Sequence, residues 1–141
     1  MSGIDVIIKK RQELKDIPNH VVTAAKIKAN ELHLCDNDDD VVKCPKDAKV
    51  IVIVREVSGD FGQLLEFWPR NKDVDVASIQ FVKALAKSLD SPCLIGDDSG
   101  DPFKFKLVDQ GGKTTVVKLK KAGLQKGQFL LDQAKPRKKK A

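Results

Sequence analysis

The sequence predicts an α+β fold in a single domain: a mostly antiparallel sheet packed on one main helix. Three observations predict it. The run Lys49-Val-Ile-Val-Ile-Val-Arg55 holds five consecutive β-branched residues, which suits a strand that is centrally placed or buried on both faces. Residues 73–89 put Val74, Ala77, Phe81, Val82, Leu85 and Leu89 on one face of a helix and turn Lys83 and Lys87 outward. Phe103-Lys-Phe-Lys-Leu-Val108 alternates apolar with basic residues, and Gln110-Gly111-Gly112 then turns the chain into residues 114–119. That pattern is a β-hairpin. Strands come first, then a long helix, then more strands. The regular alternation of a doubly wound parallel sheet is missing.

The remaining elements follow in order. Residues 4–10 are β-branched and predict a first strand. Residues 11–19 are polar and end in Ile17-Pro18-Asn19, a connection. In residues 20–35, Ala25, Ile27 and Ala29 alternate with Lys26, Lys28 and Asn30. Period two predicts strands with a turn at Asn30-Glu31, while good helix formers leave a helix over 21–35 as the alternative. Asp36 to Asp40 form a loop, and Val41-Val42-Lys43 a short strand before Pro45. Phe61, Leu64, Leu65 and Trp68 stand at i, i+3, i+4 and i+7 behind Asp60, which predicts a short helix stopped by Pro69. Asp73 and Asp75 suit the start of the long helix, and Asp90-Ser91-Pro92 its end. Cys93-Leu94-Ile95 is a strand, residues 97–102 a turn, and Phe129-Leu130-Leu131 a last apolar patch after Gly123 and Gly127.

The chain has 141 residues, with 26 Lys and Arg against 20 Asp and Glu, a net charge of +6. That length fits one domain. Five of the basic residues lie in residues 135–141, so residues 1–134 carry only +1. The body is nearly neutral, and the basicity belongs to a tail expected to be disordered, because like charges at a chain end repel. No run approaches the ~18 apolar residues of a membrane span. With no secretory signal and three cysteines lacking a CxxC pair, the expectation is a cytoplasmic protein with reduced thiols.

Catalytic signatures are missing. His20 and His33, the two histidines, read as structural residues. No nucleophile elbow, dinucleotide turn or phosphate-binding loop occurs. Asp36, Asp38 and Asp40 stand at the first, third and fifth places of a calcium loop, but Val41 and Asp47 fill the places that need Gly and Glu. Pro102 breaks the same test at residues 97–101. Both runs read as solvated turns. No catalytic residue, metal ligand or cofactor is therefore assigned. Trp68, the one tryptophan, is by default a core partner of Phe61 and Leu65. Alternatively, it is an interface anchor beside a charged rim.

Phe61-Gly-Gln-Leu-Leu-Glu-Phe67, the helix ending Ala84-Leu-Ala-Lys-Ser-Leu89, and Cys93-Leu-Ile-Gly-Asp-Asp-Ser-Gly-Asp-Pro-Phe103 together resemble small bacterial immunity proteins. Those proteins are encoded beside polymorphic, contact-dependent toxins. The resemblance covers the middle third of the chain. It departs at Phe103, where the pattern has Tyr, and in the basic tail. It implies a non-enzymatic protein that occludes a cognate toxin. Asp36, Asp38, Asp39, Asp40, Asp97, Asp98, Asp101 and Trp68 would then meet the toxin, the acids entering a basic cleft. The alternative is a nucleic-acid- or ribosome-associated protein using residues 135–140 with Lys118, Lys120 and Lys121. A third reading is a carboxylate-dependent metal enzyme.

Overall fold

The computed structural model describes residues 4–36, 44–97 and 99–132. Seven strands make the main sheet: β1 (Ile4–Ile8), β2 (Leu32–Cys35), β3 (Val50–Glu56), β5 (Gln63–Pro69), β6 (Cys93–Gly96), β7 (Lys104–Val108) and β8 (Thr114–Lys118). Their lateral order is β2-β3-β5-β1-β6-β7-β8. Every neighbouring pair is antiparallel except β2 with β3. Two short strands, β4 (Ser58–Gly59) and β9 (Gln128–Phe129), pair in parallel beside it. The helices are α1 (Ile17–Ala25), α2 (Ile79–Leu89) and α3 (Lys121–Leu124). The α+β class and the mostly antiparallel sheet are those the sequence predicts.

Alternation along each strand divides the core. Val50, Val52 and Val54 of β3, Leu65 and Phe67 of β5, and Val6 and Ile8 of β1 face the helices. There they meet Ile17, Val21 and Ala24 of α1 and Phe81, Val82, Leu85 and Leu89 of α2. The sheet thus packs on two helices rather than one. The His20 ring nitrogen Nδ1 and the Ser88 hydroxyl lie 2.8 Å apart and tie the helices together.

The opposite face carries two smaller clusters. Ile51 and Ile53 pack with Cys35 and Cys44. Ile7, Leu94, Phe61 and Leu119 pack beneath Phe129 and Leu131 of the C-terminal segment. Gly59 fixes that segment. Its φ is +102°, and a Cβ there would come within 2.7 Å of the Phe129 carbonyl oxygen. A side chain would therefore be strained twice over. The next residue, Asp60, accepts the Leu131 N–H at 2.9 Å.

Three expectations about single elements are corrected. Residues 17–25 are helix, where the sequence reading put a connection to Asn19 and strands from residue 20, and the alternative helix over 21–35 holds only as far as Ala25: Pro18 sits in the first turn, where its missing N–H costs nothing. Ile17, Val21 and Ala24 then share the buried face. A 3-10 turn, Ala29–Glu31, leads into β2. Residues 63–69 are strand, not helix, because Gln63, Leu65 and Phe67 are buried while Leu64, Glu66 and Trp68 are not. The long helix begins at Ile79 rather than residue 73, with Ser78 as its N-cap accepting the Phe81 N–H at 3.1 Å. Asp75 supports that cap from outside the helix. Burial pushes its carboxyl up, but bonds from the Ser78 hydroxyl and the Ser78 and Ala77 N–H groups outweigh it and hold the group below the usual carboxylate range. The helix stops where expected, at Asp90, in the left-handed conformation with φ 52°. The predicted strand at residues 41–43 and the tail at 135–141 lie outside the described residues.

Candidate functional site

Asp36 and Asp97, described residues of the two acidic loops, do not come together. Asp36 follows β2 and Asp97 follows β6. β2 runs with β3, and β3, β5, β1 and β6 alternate in direction. The two residues therefore stand at opposite ends of the sheet, four strand spacings or ~19 Å apart sideways. Asp101 is spent on its own turn. It accepts the Phe103 N–H at 2.9 Å and lies 3.9 Å from the Lys118 ammonium. Asp38, Asp39, Asp40 and Asp98 lie outside the described residues.

Trp68 is not a core residue. Its strand turns it away from the helices, and it stays 45% exposed. Arg70 follows on the same side one pleat later, ~7 Å along. The Arg70 guanidinium donates to the Cys44 sulfur at 3.0 Å and the Pro45 carbonyl at 3.1 Å, which fixes its direction. Beyond it opens a shallow bowl of about 460 Å³, lined by Lys28, Lys46, Lys49 and Arg70 against Glu31 and Asp47. Glu31 is held below the usual carboxylate range by the Lys28 N–H and by Lys49, whose ammonium is 2.9 Å away. On its face of β5 Trp68 thus stands between Arg70, which leads to the cationic bowl, and Glu66, which pairs with Arg55. Lys118, Lys120 and Lys121 stand on and after β8, at the far edge of the sheet from this bowl.

A second concavity opens within the sheet. β1 and β6 pair at Ile8↔Cys93 and Ile7↔Leu94, and there the ladder ends. Each strand stays paired on its other side, β1 to β5 as far as Ile4↔Phe67 and β6 to β7 as far as Gly96↔Phe105. The strands therefore fork, and a cleft of about 690 Å³ lies between them. Asp5 stands at its mouth, opposite Glu66 on β5. The Arg55 guanidinium pairs with the Glu66 carboxylate at 2.8 and 3.3 Å. Asp5 keeps contact with water, but loss of part of its hydration beside the apolar walls raises its pKa. The Glu66 charge raises it further, and Arg55 opposes both.

That shift sets a pH dependence. A carboxyl whose pKa is higher folded than unfolded stabilises the fold when protonated. The benefit is lost as pH rises from the ordinary aspartate range through the raised value. Asp5→Asn is expected to increase the thermal midpoint at pH 7 and to leave it unchanged near pH 3. Melting curves at the two pH values check this; an unchanged midpoint at both would remove the Asp5 penalty.

Sequence reasoning missed Asp5, Glu66, Arg55 and Arg70. The available signal was a lone carboxylate inside the β-branched run 4–8. Glu66 was hidden by the helical reading of its segment. Burial pushes the Cys93 thiol up to about 12, so it carries no thiolate at neutral pH. Among the described residues no three His, Cys, Asp or Glu gather as metal ligands, and no helix is long and apolar enough to cross a membrane. Set against known proteins, the chain matches no family model, and neither a curated protein nor a solved structure is found similar to it.

Proposed function

We propose that this is a non-enzymatic binding protein of the immunity type, which neutralises a cognate bacterial toxin by occluding it. The observation that carries this reading is Trp68, held exposed on a well-paired strand beside a guanidinium aimed by a backbone carbonyl. Trp and Arg are the residue types that dominate interface energetics, and rigid placement lowers the entropy lost on docking. The surface addressed is an acidic rim on the toxin around an aromatic-sized recess.

Co-expression with toxin domains encoded beside its gene tests the proposal. The wild-type chain is expected to restore growth. Trp68→Ala and Arg70→Ala should each weaken the complex about 30-fold or more, the effect of a hot-spot truncation. Their own stability should change by about 1 kcal/mol or less. Absence of protection and of any complex by the wild-type chain would sink the reading.

The cationic bowl favours a second reading, binding of single-stranded nucleic acid with Trp68 as a stacking platform. A steep loss of RNA affinity between 50 and 200 mM salt, about 10³-fold or more when six or more phosphates are contacted, would select it.

A further inference from the structure

We infer that the fork between β1 and β6 is a second binding site, which takes an extended segment of another protein as an added strand. Among the described residues, the groups left open are backbone groups. The Lys9 N–H reaches Pro92 on the β6 side at 3.1 Å, and the Ile8 carbonyl accepts from Gly62 on the other at 3.1 Å. Alternation then turns the N–H and C=O of Asp5 toward β6. The Asp97 N–H reaches Lys104 on β7 at 3.3 Å, so the N–H and C=O of Gly96 turn toward β1. Continued register would oppose Asp5 to Gly96, but the ladder stops two residues short. Two facing rows of strand donors and acceptors are what a peptide backbone complements on both of its edges.

The walls and mouth state the chemistry of the occupant. Ile79 and Ile95 line the helix side and Phe105 the opposite side, which selects apolar side chains on both faces of the inserted strand. On the outer face Asp5 and Glu66 stand opposite each other, and Arg55, which pairs with Glu66, comes from β3 on the side away from Asp5. That side calls for one Lys or Arg in the segment. Lys106 lines the cleft on the helix side, which disfavours a second cation there. The volume of about 690 Å³ lies within the range of occupied ligand sites. The lining of the cleft does not include Trp68, and Gly96→Leu tests the cleft without touching the Trp68 surface.

Gly96 supplies a clean block. A Cβ built there meets nothing within 4 Å, and its φ is not in the left-handed region. Gly96→Leu should therefore fold and cover the fork on its outer face, beside Phe105. The probe is a random octapeptide phage library panned on the wild-type chain and counter-selected on Gly96→Leu. The expected result is enrichment of alternating apolar peptides with one Lys or Arg. The corresponding synthetic peptide should bind the wild type at least tenfold tighter than Gly96→Leu, and Asp5→Asn should abolish the preference for the basic residue. Lys87→Ala, on the exposed face of α2, should leave binding unchanged. No enrichment, equal binding to Gly96→Leu, or selected peptides without alternation would overturn the proposal. So would a homodimer of the wild type that Gly96→Leu dissociates, since a second copy would then be the occupant. Hydrogen exchange on the free chain adds an arm that needs no ligand. The Asp5 and Gly96 amides should exchange much faster than those of Ile7 and Leu94; equal protection of all four would show that the fork is closed.

Discussion

Phe67→Ala is expected to lower the free energy of unfolding by about 3–5 kcal/mol, a large share of the ~5–15 kcal/mol available to an ordinary domain. Phe67 is fully buried. Its ring meets Phe81 of α2 edge-on, with centroids 5.2 Å apart and planes at 83°. It is flanked by Val52 on one side and Ile4 on the other. Truncation there opens a cavity between two paired strands and a helix, where collapse is hardest. Urea denaturation of Phe67→Ala beside Trp68→Ala measures this. The neighbours differ by one residue and point to opposite faces, so the first should lose several times more stability than the second. A reversed order would mean that β5 is slipped by one residue, because such a slip exchanges the faces of a whole strand.

Gln63→Ala should cost about 2–4 kcal/mol through a different mechanism. Gln63 is completely buried, and its amide closes two bonds with a distant loop. The side-chain oxygen accepts the Gln12 N–H at 2.9 Å, and the side-chain nitrogen donates to the Gln12 carbonyl at 3.0 Å. Removing it orphans both backbone groups, and each carries a penalty of about 1–3 kcal/mol when left dry. Gln63→Glu separates hydrogen bonding from size. A protonated carboxyl still donates to the Gln12 carbonyl, whereas an ionised one faces it with a negative charge. Its deficit should be small near pH 4 and grow as pH rises through the carboxyl's titration. Denaturant midpoints at pH 4 and pH 7 report the difference. A deficit independent of pH would mean that the carboxyl turns out to water.

Most of the sheet was legible because its strands carry unambiguous patterns. Residues 49–55 have a β-branched run and residues 103–119 a glycine turn, and both elements stand where the sequence puts them. The errors arose where one pattern satisfies two periods. Phe61, Leu64, Leu65 and Trp68 fit a helical face, yet Leu65 and Phe67 also fit a strand. What decides is the pairing of β5 with β3 and β1, which no local spacing contains. Gln63 hid the alternation further, because a polar residue at a buried position reads as an exposed one. In α1, Pro18 looked like a break, although proline in a first turn begins a helix as readily as it ends one. The turn of Asp101 before β7 was legible. The separation of Asp36 from Asp97 was not, since it depends on strand order, and the cleft beside Asp5 depends on where a ladder stops.

Lateral order also bears on how the molecule is made. β1 precedes β5 and β6 in the chain but lies between them. During translation its Val6-Ile7-Ile8 stretch must wait, unsheltered, for one neighbour and then the other, while β7 and β8 close locally. Lys9 and Lys10, exposed directly after it, are the charges that keep such a waiting segment from sticking to its own kind on crowded polysomes.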